Sequence, residues 1–178
     1  MSALPPHADP ASLPYYDSER LSDETLAVLC DDLELGEAEI AAALTLLAPE
    51  LRFASPSALV DIGVNLTHES YARDIEGTLL RARAAGVSQQ ILTGTSLDGS
   101  REAQALAARY RGLSATAGVH PHDASQWNDG VERGIRELLA QPEVVAVGEC
   151  GLDFNRNFST PAEQARAFEA QLTLAAET

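Results

Sequence analysis

Lysine is missing altogether: all twelve basic side chains are arginines, set against 27 acids, for a formal charge of −15 and a pI near 4.5. That balance excludes the basic stripe with which a simple nucleic-acid binder grips its ligand. An enzyme acting on phosphates from such a chain would need metal ions and local arginines to offset repulsion. Cysteine is nearly missing too. Cys30 and Cys150 are too few and too far apart for a disulfide framework, which favours a reducing compartment. No apolar run reaches the length of a membrane span, and the first residues show neither the basic nor the apolar region of a secretion signal. The expectation is a soluble cytoplasmic protein with no membrane partner.

What is present suffices for a core, since 45% of the 178 residues are hydrophobic. Acidity is uneven: eleven acids and two arginines precede Ala58 (net −9), and sixteen acids and ten arginines follow it (net −6). Residues 1–15 carry Pro5, Pro6, Pro10 and Pro14 and read as a disordered arm. Residues 16–57 read as a small acidic helical hairpin and linker. Ser22 caps the first helix, with Leu26, Leu29, Cys30 and Leu33 on one face, and Ile40, Leu44 and Leu47 line the second. A solvated packing or docking appendage is the plain reading of that hairpin.

From residue 58 onward, strands and helices alternate. Strands are expected over Leu59–Val64, Val87–Thr93, Leu113–Val119 and Val144–Val147. Between them lie helices marked by Tyr71, Ile75 and Leu79, then by Ala103, Leu106, Ala107 and Tyr110, then by Val131, Ile135, Leu138 and Leu139. Thr160-Pro161-Ala162-Glu163 is a capping box with proline in the first turn, opening a last helix that carries Phe168 and Leu172. Strand starts 26 to 31 residues apart are what βαβ crossovers need, so the fold class is α/β with a parallel sheet. Four such units in 120 residues make about half of a TIM-type barrel, which takes about 250.

Chemistry-bearing residues gather just past the carboxyl ends of the third and fourth strands, the edge where parallel sheets bind ligands. In His120-Pro121-His122 the proline favours an extended backbone that lets both imidazoles face one side. That pair suits a metal or a phosphate; the alternative is two loop histidines bonded to backbone. Glu149 ends an apolar strand, where a buried carboxylate must bind a cation or pair internally, with Arg156 as the nearest partner by sequence. Asp61 and Asp153 have the same two readings, weighted toward structural support. Arg156 is either a phosphate fork or a surface arginine. Trp127 reads as packing, and Cys150 as core, since no activating base is evident.

Asp61-Ile62-Gly63-Val64-Asn65-Leu66, Gly94-Thr95, Ala117-Gly118-Val119-His120-Pro121-His122 and Val147-Gly148-Glu149-Cys150-Gly151-Leu152-Asp153-Phe154, with the Asn155–Pro161 tail, closely resemble the TatD family of metal-dependent hydrolases. The resemblance covers about Leu59 to Thr178. It implies a TIM-type barrel that cuts phosphodiesters with a divalent metal, most often Mg2+, as a 3′-to-5′ exonuclease on single-stranded DNA, with RNA as a further candidate. Carried over by position, Glu149 becomes the metal ligand, His120 and His122 the catalytic pair, and Arg156 and Asn65 the substrate contacts. Many family members place a His-x-His metal pair where this chain has Gly63 and Asn65. The family also draws two further metal histidines and a catalytic aspartate from later strands, which this chain would need from a continuation. The competing expectations are an inactive half-barrel that self-associates as a binding or assembly module, and a metal-dependent amidase or esterase on a similar barrel.

Overall fold

The computed structural model describes residues 57–178, so the expected arm and helical hairpin lie outside the described residues. The elements are β1 (Leu59–Val64), α1 (Ile75–Ala84), β2 (Val87–Leu92), α2 (Leu97–Arg109), β3 (Leu113–Ala117), a 3₁₀ helix (Pro121–Gln126), α3 (Asp129–Leu139), β4 (Val144–Val147) and α4 (Pro161–Glu177). The sheet runs β1-β2-β3-β4 in hydrogen-bonded order. Gln90 lies opposite Leu113 and Leu92 opposite Ala115, while Thr116 lies opposite Ala146 and Ala117 opposite Val147; both pairings are parallel. The alternation of strand and helix expected from the sequence is therefore the architecture.

The chain divides into two compact units. The first contains residues 57–60 and Arg73–Ser88 of the described part. There α1 buries Gly77, Leu79, Leu80 and Ala84, and Leu59 donates its N–H to the carbonyl of Gly86 at 2.9 Å. The second unit comprises Asp61–Ala72 and Gln89–Thr178 and carries every residue of the expected site. In it α2, α3 and α4 pack on β3 and β4. Leu113, Ala115 and Ala117 of β3 point into that packing and are buried, alternating with half-buried Ser114 and Thr116 on the other face. Leu92, Ala103, Ala107, Val119, Ile135, Leu138, Ala167 and Leu174 belong to the same core.

Local chemistry explains the helix starts. Ser96 accepts from the Gly99 N–H, and Asn128 accepts from the N–H groups of Gly130 and Val131. Thr160 and Glu163 form the reciprocal capping box, with Pro161 in the first turn, as the sequence predicts. Other expectations change. Tyr71 lies before α1, not in it, and is 39% exposed. Strands β2 and β3 stop at Leu92 and Ala117, one and two residues short of expectation. The buried face of α4 is Gln164, Ala167, Gln171 and Leu174 rather than Phe168 and Leu172; Leu172 is 52% exposed. Buried glutamines are invisible to a search for apolar stripes, because they are accepted inside only where backbone groups satisfy them.

Candidate active site

The loop after β3 builds the first half of the site. His120 sits in extended backbone and caps a 3₁₀ turn, its Nδ1 accepting the N–H of His122 at 3.1 Å. The residue before the proline is extended, as the sequence reading expects, while Pro121 itself opens a tight turn that reading did not foresee. The turn brings the imidazoles together all the same: their centroids lie 4.2 Å apart, edge to face. Buried Pro121, Ala124 and Trp127 anchor the turn in the core. Because His120 Nδ1 is an acceptor, the ring proton sits on Nε2. That nitrogen lies 3.6 Å from Glu149 Oε1.

The loop after β4 supplies the second half. Gly148 takes φ +149°, a conformation that favours glycine, and Glu149 donates its N–H to the Gly94 carbonyl at 2.7 Å. His120 donates its own N–H to the neighbouring Thr95 carbonyl at 2.8 Å. One short turn, Gly94-Thr95, thus holds both His120 and Glu149. The Glu149 side chain is 51% exposed, which corrects the expectation of a buried carboxylate: β4 is the sheet edge, and Val145 and Ala146 before it are exposed as well. Nor does Arg156 pair with Glu149. Its Nε reaches Asp153 Oδ2 at 3.2 Å, and the side chain is 62% exposed.

Asp153 is the most connected of the acids at this site. Its Oδ2 accepts from His122 Nε2 at 2.7 Å, and Oδ1 accepts from the N–H groups of Asn155 and Arg156 at 3.1 Å each. The bond from His122 first, then the Arg156 N–H, lower its pKa from 3.8 to about 2. An ionised carboxylate only accepts, so His122 carries its proton on Nε2. Phe158 stands edge-on to the same ring, 4.7 Å between centroids. Burial, and then the Glu149 charge, push the Cys150 thiol upward, which disfavours a nucleophile, although the residue is half-buried and not part of the core.

Glu149 and Asn65 meet across an open cavity of about 530 Å³, whose wall also includes Gly63, Thr93, Thr95, Thr116 and Gly148. None of the three threonines was an expected site residue, and Thr95 entered the sequence reading only within the Gly94-Thr95 motif. Thr116 could have been found from its alternation with buried Ala115 and Ala117, which places it on the opposite sheet face. Asp61 is exposed on β1 and does not line this cavity.

Among the described residues, no group of three or more His, Cys, Asp or Glu side chains converges as a metal site. A hard divalent ion takes about six oxygen ligands; Glu149 offers one carboxylate, and its neighbour is an imidazole. These residues do not by themselves complete a metal shell.

The fold and the residue placement define a class: parallel βα units whose carboxyl edge gathers paired imidazoles, two carboxylates and an arginine. Residues 60–178 match the TatD related DNase family, and the chain belongs to it. The family is one of metal-dependent hydrolases. Curated relatives include the 3′-5′ ssDNA/RNA exonucleases TatD of Escherichia fergusonii, 60% identical over 119 residues, and of Salmonella typhimurium, 59% identical over the same length. Each alignment covers 67% of this chain and 46% of the relative. The chain thus spans about half the length of the curated relatives it matches. Among solved structures, it resembles the TatD homologue YJJV of Escherichia coli K12 at TM-score 0.62 and 30% identity, over 67% of this chain and 47% of that one. A TatD family hydrolase from Entamoeba histolytica superposes at TM-score 0.63 with 28% identity, over 68% of this chain and 46% of that one. These neighbours bear out the reading of the sheet as part of a TIM-type barrel.

Proposed function

We propose that this chain is the site-bearing portion of a Mg2+-dependent 3′-to-5′ exonuclease acting on single-stranded DNA and RNA. The observation that carries the proposal is the placement of His120, His122, Glu149 and Asp153 at one sheet edge, within a segment 60% identical to relatives named as such exonucleases. Glu149 is the metal ligand this chain contributes, and its shell needs donors that residues 57–178 do not bring together. His120 and His122 face the substrate phosphate, the second held by Asp153. Arg156 and Asn65 bind substrate, Arg156 as a planar fork for phosphate oxygens. The cytoplasm is the compartment this reading assigns.

The test joins the chain to the remaining barrel of the Salmonella typhimurium relative and supplies a 5′-labelled single-stranded oligonucleotide. Stepwise shortening from the 3′ end is expected with Mg2+, together with its loss on adding EDTA and in Glu149→Ala. Shortening indifferent to both EDTA and Glu149→Ala would overturn the reading. Release of product from small esters but not from oligonucleotide would favour an esterase.

A second reading, an inactive module that self-associates, draws support from the two edge strands, where Ile62 is 74% and Val145 54% exposed. Sedimentation of the 178-residue chain as a monomer would remove it.

A further inference from the structure

Helix α4 buries two glutamines two turns apart, Gln164 and Gln171, each 1% exposed. Both do the same thing. Gln171 Oε1 accepts the Val119 N–H at 2.7 Å while its Nε2 donates to the Val119 carbonyl at 3.1 Å. Gln164 Oε1 accepts the Asp153 N–H at 2.7 Å while its Nε2 donates to the Asp153 carbonyl at 3.2 Å and to the Ser159 carbonyl at 2.8 Å. Each amide therefore pairs with both backbone groups of one residue, as a neighbouring strand would. Val119 immediately precedes His120, and Asp153 is the residue that holds the His122 ring.

Gln164 also reaches the other partner of that pair. Ser159, itself 2% exposed, donates its hydroxyl to the His122 carbonyl at 2.8 Å and accepts the Ser125 N–H at 3.0 Å. The backbone of His122 is thus tied through Ser159 to Gln164, and the ring of His122 through Asp153 to the same amide. A hydrophobic residue at either position would fill the space and leave buried backbone groups unpaired.

We propose that Gln164 and Gln171 are positioning residues. Spaced along one rigid helix, they set the loop after β3 against the loop after β4, so that His122 Nε2 meets Asp153 and His120 faces Glu149. The positioning stands on hydrogen bonds within this chain. Only its consequence for catalysis rests on the exonuclease reading, and the experiment needs neither substrate nor metal, so the two can fail separately.

The experiment is long-range 1H–15N spectroscopy of the histidine rings in the 15N-labelled 178-residue chain, with His122→Gln for assignment. In the unaltered chain, His122 is expected to show a slowly exchanging Nε2 proton, shifted downfield by the Asp153 carboxylate. Gln164→Met keeps the side-chain length and removes all three bonds; the signal should vanish. Gln164→Glu keeps the acceptor for the Asp153 N–H and loses both donors; the signal should broaden. Leu174→Ala, a cavity in the same helix at a fully buried position, should lower stability and leave the signal intact. Retention of the signal in Gln164→Met, or its equal loss in Leu174→Ala, overturns the proposal. Amide exchange in the unaltered chain gives a reading that no folding failure can obscure. The Val119 and Asp153 amides, bonded only to these glutamines, should be protected like the Ala115 amide in β3. Gln171→Met should speed Val119 exchange by about tenfold or more. Fast exchange at both amides in the unaltered chain also overturns it.

Discussion

The loops that follow β3 and β4 meet at the site, yet they are stabilised in opposite ways. The first folds on itself. Residues Pro121–Gln126 close a 3₁₀ turn under the His120 cap, and Pro121, Ala124 and Trp127 lodge in the core. The second has no helix from Gly148 to Ser159, adopts positive φ at Gly148, Gly151 and Asn157, and exposes Leu152, Phe154 and Phe158. It is shaped by side chains: Asp153 turns the backbone at Asn155 and Arg156, and Gln164 grips Asp153 from α4. A site can thus join one half whose turn closes locally and is then tied down by Gln171 and Ser159 to another that is shaped almost wholly by its neighbours. Such a site should fail differently when each half is altered.

The largest effect should come where the two loops approach backbone to backbone. A Cβ on Gly118 would lie 2.7 Å from both the Cα and the carbonyl carbon of Gly148. Gly118→Ala should destabilise the protein by about 3 kcal/mol, measured by urea unfolding; a loss below about 1 kcal/mol would mean that the loops can part without cost. Ser159→Ala comes next. It leaves the half-buried His122 carbonyl and the Ser125 N–H without their hydroxyl partner, and should cost about 2 kcal/mol by the same measurement. A cost at or below about 1 kcal/mol would mean that the turn of the first loop stands without Ser159.

Thr160→Ala tests the helix that grips the second loop. Loss of the capping box should cost about 1 kcal/mol in thermal unfolding and weaken protection of the Asp153 amide before that of Val119, whose partner Gln171 lies farther along α4. Arg156→Ala should change stability by less than about 1 kcal/mol, since its pair with Asp153 is largely exposed. On the exonuclease reading it should nevertheless weaken binding of single-stranded oligonucleotide. The smallest signal is a titration. Asp153 has its folded pKa near 2, below the ordinary 3.8, so the stabilisation it adds is fully present above that ordinary value and is lost as pH falls through about 2. Carboxyl 13C shifts should place the midpoint there, and His122→Ala should move it upward, because the bond from His122 is the largest cause of the depression.

The order of strands and helices, the parallel sheet, the capping box of α4 and the clustering of His120, His122 and Glu149 at one edge were all legible in the residue pattern. Apolar periodicity and turn chemistry act over a few residues, and the strand-to-strand spacing then allows little but right-handed parallel crossovers. His120-Pro121-His122 was legible as a pair because the two residues are sequence neighbours. Its turn was not, since proline is compatible with both an extended strand end and the first turn of a helix.

Partnerships across the fold were decided by the tertiary structure alone. That Glu149 stands half-exposed, and that Thr93, Thr95 and Thr116 line its cavity, depend on which strand lies at the sheet edge and which face its alternation presents. Gln164 and Gln171 make the point most plainly. Alone, each is a polar residue in a helix, with nothing to distinguish it from a solvated one. What makes them internal is that Val119 and Asp153, 52 and 11 residues away along the chain, bring unpaired backbone groups against them. The residue types that can do chemistry were written in the chain; the distances that let them do it follow from hydrogen bonds that only folding brings within reach.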